Sequence, residues 1–205
     1  MQRALLFFAA FFTAGFLAAA EIRNPGFESG RKSFEGIGWW WFSTADSCDF
    51  DSEIVHSGKR SVRLSVNDST TQKASPYWSR YATLSGPVHE AKANTIYTIR
   101  CFIKTEMSEG QAGLAVLCAK KKMQMAERIP VKFLPVKKNT DWVELTYTFK
   151  TPEDLTGITL YCAVENFTGK AWFDDFSIQE GTDVPEVPLS DRWENALVLS
   201  PFILI

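Results

Sequence analysis

Residues 95–105 read TIYTIRCFIKT, with Tyr97, Ile99, Cys101 and Ile103 on one side of an extended chain and Thr98, Arg100 and Lys104 on the other. A period of two is the mark of a strand with one buried and one wet face, because successive side chains point to opposite faces. The pattern recurs on both sides of this segment. In Arg60–Val66 the apolar set is Val62, Leu64 and Val66, in Trp142–Lys150 it is Val143, Leu145, Tyr147 and Phe149, and in Gly157–Glu165 it is Ile158, Leu160, Cys162 and Val164. In Ala171–Ile178 the same alternation assigns Trp172, Phe176 and Ile178 to the inward face, together with Asp174. Leu114–Glu127, LAVLCAKKKMQMAE, reads as a strand followed by a charged loop. Short alternating runs separated by turn residues predict an all-β fold, an antiparallel β-sandwich of two sheets packed face to face.

The 205 residues carry a formal net charge of −2, with 45% hydrophobic and 22% charged residues. That balance excludes a disordered chain and gives no basic surface for nucleic-acid phosphates. The first twenty residues, MQRALLFFAAFFTAGFLAAA, have a positive Arg3, an apolar run and small residues before Glu21, as a signal peptide has. Cleavage there leaves no stable membrane span and directs the chain outside the cell. Residues 21–180 then form the sandwich, 181–190 an extended linker rich in Pro and acids, and 191–205 an apolar stretch that reads as the truncated start of a further domain or, alternatively, as a C-terminal tail with a last strand packed on the main core. Cys48, Cys101, Cys118 and Cys162 match no zinc spacing; an oxidising compartment permits disulfides among them without demanding any.

Several motifs follow one another along residues 21–180: Asn24-Pro25-Gly26-Phe27-Glu28, Gly38-Trp39, His56-Ser57-Gly58-Lys59, Asp141-Trp142 and Trp172-Phe173-Asp174-Asp175-Phe176. In this order they resemble the CenC-type carbohydrate-binding modules, families four, nine and twenty-two, within the galactose-binding-domain-like jelly rolls. The resemblance implies a noncatalytic module that binds a polysaccharide or oligosaccharide and is linked in cis to further domains of a secreted bacterial protein. It also implies a structural calcium, with Glu28 and Asp174 giving carboxylate oxygens, Lys59 a backbone carbonyl and Asn24 a neighbouring oxygen. Calcium suits such a set because it takes six to eight hard oxygen ligands. The alternative for Asp174 is to cap a turn or pair with Lys59 or Arg60.

Sugar recognition needs flat apolar faces for pyranose C–H groups and a few fixed polar groups for hydroxyls. The resemblance makes Trp39 a core position, and alternation from it puts Trp41 inward and Trp40 outward. The candidate carbohydrate contacts are therefore Trp40, Trp78, Tyr81 and Tyr161, with Arg100 and Glu144 as outward polar groups and Glu165 beside them. Any one of these aromatics has core or cross-strand packing as its simpler role. His56 and His89 have no nucleophile or metal-ligand spacing around them, so no catalytic residue is expected. Two other functions stay open: the chain leads a secreted glycoside hydrolase, or it is a cell-surface adhesion sandwich that binds no sugar.

Overall fold

The computed structural model describes residues 19–29, 39–42, 45–70, 81–121 and 132–181. The expectations for the signal peptide, the linker, the apolar tail and Trp78 fall outside the described residues. Among the described residues nine strands follow in chain order: β1 (Glu21–Ile22), β2 (Trp40–Phe42), β3 (Ser47–Asp51), β4 (Ser61–Val66), β5 (Tyr81–His89), β6 (Ile96–Lys120), β7 (Lys132–Val136), β8 (Thr140–Lys150) and β9 (Leu155–Gly181). All pairings among them are antiparallel, and the expected all-β sandwich is what the chain forms.

The frame is a ribbon of β6 and β9, paired from Ile96↔Gly181 to Lys120↔Leu155. The ribbon doubles back where its register shifts, at Met107–Gln111, and where Gly110, Asn166 and Gly169 take positive φ. A Cβ on Gly110 would fall 2.2 Å from the Asn166 carbonyl oxygen, so only glycine fits this bend. Each half of the ribbon seeds one sheet. The first, order β3–β4–β9–β6–β8, uses β6 up to Glu106 and β9 from Gly169. The second, with β7, the later part of β6, the earlier part of β9 and β5, is completed by β1 and β2 on β5.

The inward residues of both sheets close one core. Tyr97, Ile99, Cys101 and Ile103 are fully buried, as are Val62, Leu64, Leu160, Cys162 and Val164. All four cysteines are free, buried thiols, and burial pushes the thiols of Cys48, Cys101 and Cys162 far up and that of Cys118 to about 11. At the rim, Phe27, Trp39 and Phe176 meet with centroids 5.0–6.0 Å apart, in tilted and edge-on geometry. Such pairs each contribute about 0.5–1.5 kcal/mol beyond area burial. The Trp39 Nε1–H donates to the Arg23 carbonyl at 2.9 Å, which satisfies its one polar atom.

The final strand departs from simple alternation. Ala171 and Phe173 join the core, whereas Trp172 is buried on the other side, where its Nε1–H donates to Asp51 Oδ2 at 2.9 Å. Phe176 and Ile178 nevertheless pack with the core, because a β-bulge intervenes: Arg100 pairs with Ser177 and Phe102 with Asp174, which sets one residue of β6 against two of β9. Asp175 holds the bulge at φ 48°, a left-handed conformation that Asp tolerates better than most residues. The assignment of Trp172, Phe176 and Ile178 to one face is corrected accordingly.

Gly86 lies on the core side of β5, where a Cβ would come within 2.7–2.8 Å of three Trp39 ring carbons. Gly86→Ala must therefore push the indole out of the aromatic cluster. It is expected to cost about 1–3 kcal/mol, as overpacking does, read as a lowered urea midpoint with an unchanged m-value.

Candidate functional site

Antiparallel register places partners on the same face, so the outer face of the second sheet can be read row by row. One row is Trp40, Ser85, Tyr161, Ala115 and Phe133; the next is Phe42, Thr83, Ala163, Gly113 and Pro135. Tyr81, Glu165 and Gln111 form a third row at one end. The alternate residues Leu84, Cys162 and Leu114 are core, which fixes these rows as outward. Their centre is small: Ser85 is 5%, Ala163 3% and Ala115 1% exposed. Tyr161 packs on Ala115 and Ala163 and is half-buried. A Cβ on Gly113 would lie 1.9 Å from the Leu134 carbonyl oxygen, so β7 curls close over this floor. The result is a floor of small residues between aromatic positions on β2 and β7, with Tyr161 on it.

At the end of the floor Gln111 Nε2–H donates to Glu165 Oε2, giving a half-buried amide–carboxylate pair. Gln111 was not singled out in the sequence. Its only signal is that it precedes Ala112–Cys118, an apolar strand with Gly113 and Ala115 at two of its outward positions.

Three of the expected carbohydrate contacts thus share one face: Trp40 and Tyr81 by backbone register, Tyr161 by its packing. Arg100 and Glu144 do not join them. They stand on the outer face of the first sheet, where Arg100 Nε meets Glu144 Oε1 at 3.2 Å, and both are exposed. On that face the His56 ring stacks on Phe102 at 3.6 Å and meets Trp142 edge-on at 5.5 Å.

The residues of the expected calcium set gather at the turn 56–60. Glu28 Oε1 accepts the N–H groups of Lys59 at 2.8 Å and Arg60 at 3.1 Å, and the Arg60 guanidinium donates to the Glu28 carbonyl. Asp174 Oδ2 accepts the N–H groups of His56 and Ser57, and its Oδ1 accepts that of Asp175. Asn24 instead folds onto its own turn, exchanging hydrogen bonds with the Ser29 backbone. A Cβ on Gly26 would fall 3.3 Å from Asp175 Oδ1, 3.7 Å from Asp174 Oδ1 and 3.8 Å from Glu28 Cγ, so three acidic side chains border one glycine. Most of their oxygens are already occupied by N–H or O–H donors, and among the described residues no three His, Cys, Asp or Glu side chains form a metal-binding group. Asp174 therefore caps the turn.

His56, Ser57 and Asp175 are the residue types of a hydrolase triad in the wrong order. Both His56 Nδ1, at 2.6 Å, and Ser57 Oγ, at 2.8 Å, are bonded to Asp175. The hydroxyl thus faces a carboxylate that orients the imidazole, whereas activation needs the imidazole on the hydroxyl.

No protein-family model matches the chain. Its fold is similar to that of the family 22 xylan-binding module CBM22-1 of Paenibacillus barcinonensis Xyn10C, with 17% identity, 81% of this chain and 98% of that chain covered, and a TM-score of 0.51. A family 61 carbohydrate-binding module in complex with β-1,4-galactotriose gives 16% identity, 80% and 100% coverage and 0.53. The CBM22-1–GH10 modules of the Clostridium thermocellum xylanase Xyn10B, complexed with xylohexaose, give 14%, 81% and 29% coverage and 0.53. These likenesses place the fold among β-sandwich carbohydrate-binding modules. Among curated sequences, the tRNA nuclease WapA of Bacillus subtilis is 24% identical over 172 residues; they make up 80% of this chain and 7% of that protein.

Burial pushes the Asp174 carboxyl up to about 6, against the lowering effect of the N–H groups of Ser57, Asp175 and His56 and with the Asp175 charge adding to the rise. A carboxyl with a raised folded-state pKa binds more protons folded than unfolded between its two pKa values, so its contribution to stability is full below about 4 and is lost as pH rises through about 6. In buffer containing chelator, wild type should gain about 2–3 kcal/mol relative to Asp174→Asn on going from pH 7 to pH 4. Parallel stability–pH curves from denaturant titrations of the two proteins would contradict this.

Proposed function

We propose that the chain is a noncatalytic carbohydrate-binding module whose binding surface is the outer face of the sheet formed by β7, β6, β9, β5 and β2. The observation that carries this reading is the floor of Ser85, Ala163, Ala115 and Gly113 between aromatic positions, with Tyr161 on it and Gln111–Glu165 at its end. Aromatic faces suit pyranose C–H groups, and the amide–carboxylate pair offers both donor and acceptor to hydroxyls. Five strands at about 4.8 Å spacing give a track of roughly 20 Å, long enough for several residues of a polysaccharide chain. The motif order supports a CenC-type module, and the fold relatives bound to xylohexaose and β-1,4-galactotriose support a β-linked plant or cell-wall glycan. A secreted location rests on the leader-like residues 1–20.

The second reading is a module within a much longer polypeptide, either leading a glycoside hydrolase or serving at a cell surface. The CBM22-1–GH10 relative favours the former, and the 7% share of WapA favours a much longer polypeptide in either case.

The test is affinity electrophoresis and pull-down of the chain on xylan, β-galactan and cellulose. Tyr161→Ala, Trp40→Ala and Glu165→Ala are expected to weaken retention at least about tenfold, the loss of one or more stacking or hydrogen-bonding contacts. Arg100→Ala and Glu144→Ala are expected to bind as wild type does. Retention unchanged in Tyr161→Ala would move the site elsewhere, and failure of folded wild type on every polymer would favour the adhesion reading.

Calcium belongs to this proposal as a second cap on the 56–60 turn, with Glu28 and Asp174 as its carboxylates. Bound calcium would stabilise the folded chain by mass action, so excess chelator should lower the melting temperature. An unchanged melting temperature would leave the turn held by its N–H bonds alone.

A further inference from the structure

β8 is the one long open edge among the described strands. It has eleven residues and pairs only with β6. β3 and β7 also lie at edges, but each has five residues. β3 carries Asp49 and Asp51 against Arg63, and Pro135 interrupts β7. Charges and prolines of this kind blunt an edge, whereas a long uninterrupted strand with free N–H and C=O groups is a template for another strand. The inward row of β8 is also incompletely covered. Val143 is 36% exposed, the one exposed large hydrophobic residue among those described, and Leu145 and Tyr147 are only half-buried.

We propose that β8 is a self-association edge that pairs antiparallel, about a two-fold axis, with β8 of a second copy of this chain. The occupant is a second copy because the strand can pair with itself without setting like charges opposite each other. Parity requires inward residues to meet inward residues, so the two-fold passes through a residue position. An axis at Glu144 sets two like charges directly opposite. An axis at Thr146 sets Val143 against Phe149 of the second copy, Leu145 against Tyr147, Trp142 against Lys150 and Glu144 against Thr148. Glu144 then has Lys150 of the second copy as its diagonal neighbour, an opposite charge at each end of the seam. The pairing extends the first sheet across two copies and covers Val143. It leaves the outer face of the second sheet free, so it stands whether or not that face binds glycan; where it does, the dimer presents two such faces to one polymer.

The test uses the full chain. Sedimentation velocity over the micromolar range should show a concentration-dependent monomer–dimer equilibrium in wild type, and Val143→Lys should raise the dimer dissociation constant at least about tenfold. Val143 is a surface position, and an unchanged melting temperature for the dilute variant confirms its fold. Thr146→Cys reads the register directly: the native thiols are buried, so the new pair should form a disulfide-linked dimer under mild oxidation, whereas Glu106→Cys, outside β8, should not. A wild-type chain that stays monomeric over the whole range overturns the proposal. So does equal dimerisation of Val143→Lys, or equal crosslinking of the two cysteine variants.

Discussion

The extra residue at Asp175 is the constraint on which the rest of the sandwich turns. Without it, β9 would carry Ala171 and Phe173 inward and then send Phe176 and Ile178 to the wrong side. With it, the same strand closes the core in its middle and supplies Phe176 to the cluster with Phe27 and Trp39. It also turns two adjacent carboxylates toward the 56–60 turn, where they collect the N–H groups of His56 and Ser57, the Ser57 hydroxyl and the His56 ring. The Phe176 N–H in turn donates to the Pro25 carbonyl at 2.9 Å, which ties the first turn of the chain to the last strand. One left-handed residue therefore joins three segments remote in sequence, and most of their polar groups leave the bulge satisfied.

The two outer faces differ because the two halves of the ribbon carry different residues outward. The β6 half in the first sheet presents Arg100, Phe102 and Lys104, which are matched by Glu144, His56 and Asp141. That face is electrically neutralised and partly roofed by the 56–60 turn. The half in the second sheet carries Gly113, Ala115 and Ala163 outward, small residues that are themselves buried.

Much of this was legible in the sequence. Alternation located the inward residues of β4, β6 and the first half of β9, and the family resemblance gave Trp39 to the core. It failed at Trp172 because periodicity assumes a constant count of residues per rung, and a bulge breaks that count without leaving a hydrophobic trace. The paired aspartates at 174–175 were the available hint, since Asp accepts positive φ and burial of one would demand donors. The proposed glycan face was half visible for a different reason. Aromatic residues announce themselves one by one, but the positions of Trp40, Tyr81 and Tyr161 come to one sheet only through strand pairing, which no local pattern specifies. Arg100 and Glu144 were outward as expected, and only the topology showed that their outside belongs to the other sheet.

The doubled-back ribbon also sets how the module would respond to force. Lys150 pairs with Ile96, Leu155 pairs with Lys120, and four residues join Lys150 to Leu155, so both ends of β6 lie at one end of the sandwich. Glu21, opposite His89, and Gly181, opposite Ile96, leave from that same end. Tension applied through these two points pulls β1 and the end of β9 away from their partners one rung at a time. Serial rupture of single rungs resists poorly, unlike the simultaneous shearing of strands pulled from opposite ends. In a polymer-anchored chain this domain would thus act as a mechanical fuse, peeling from its root while the far end, with the bend at Gly110 and Asn166, is the last to yield.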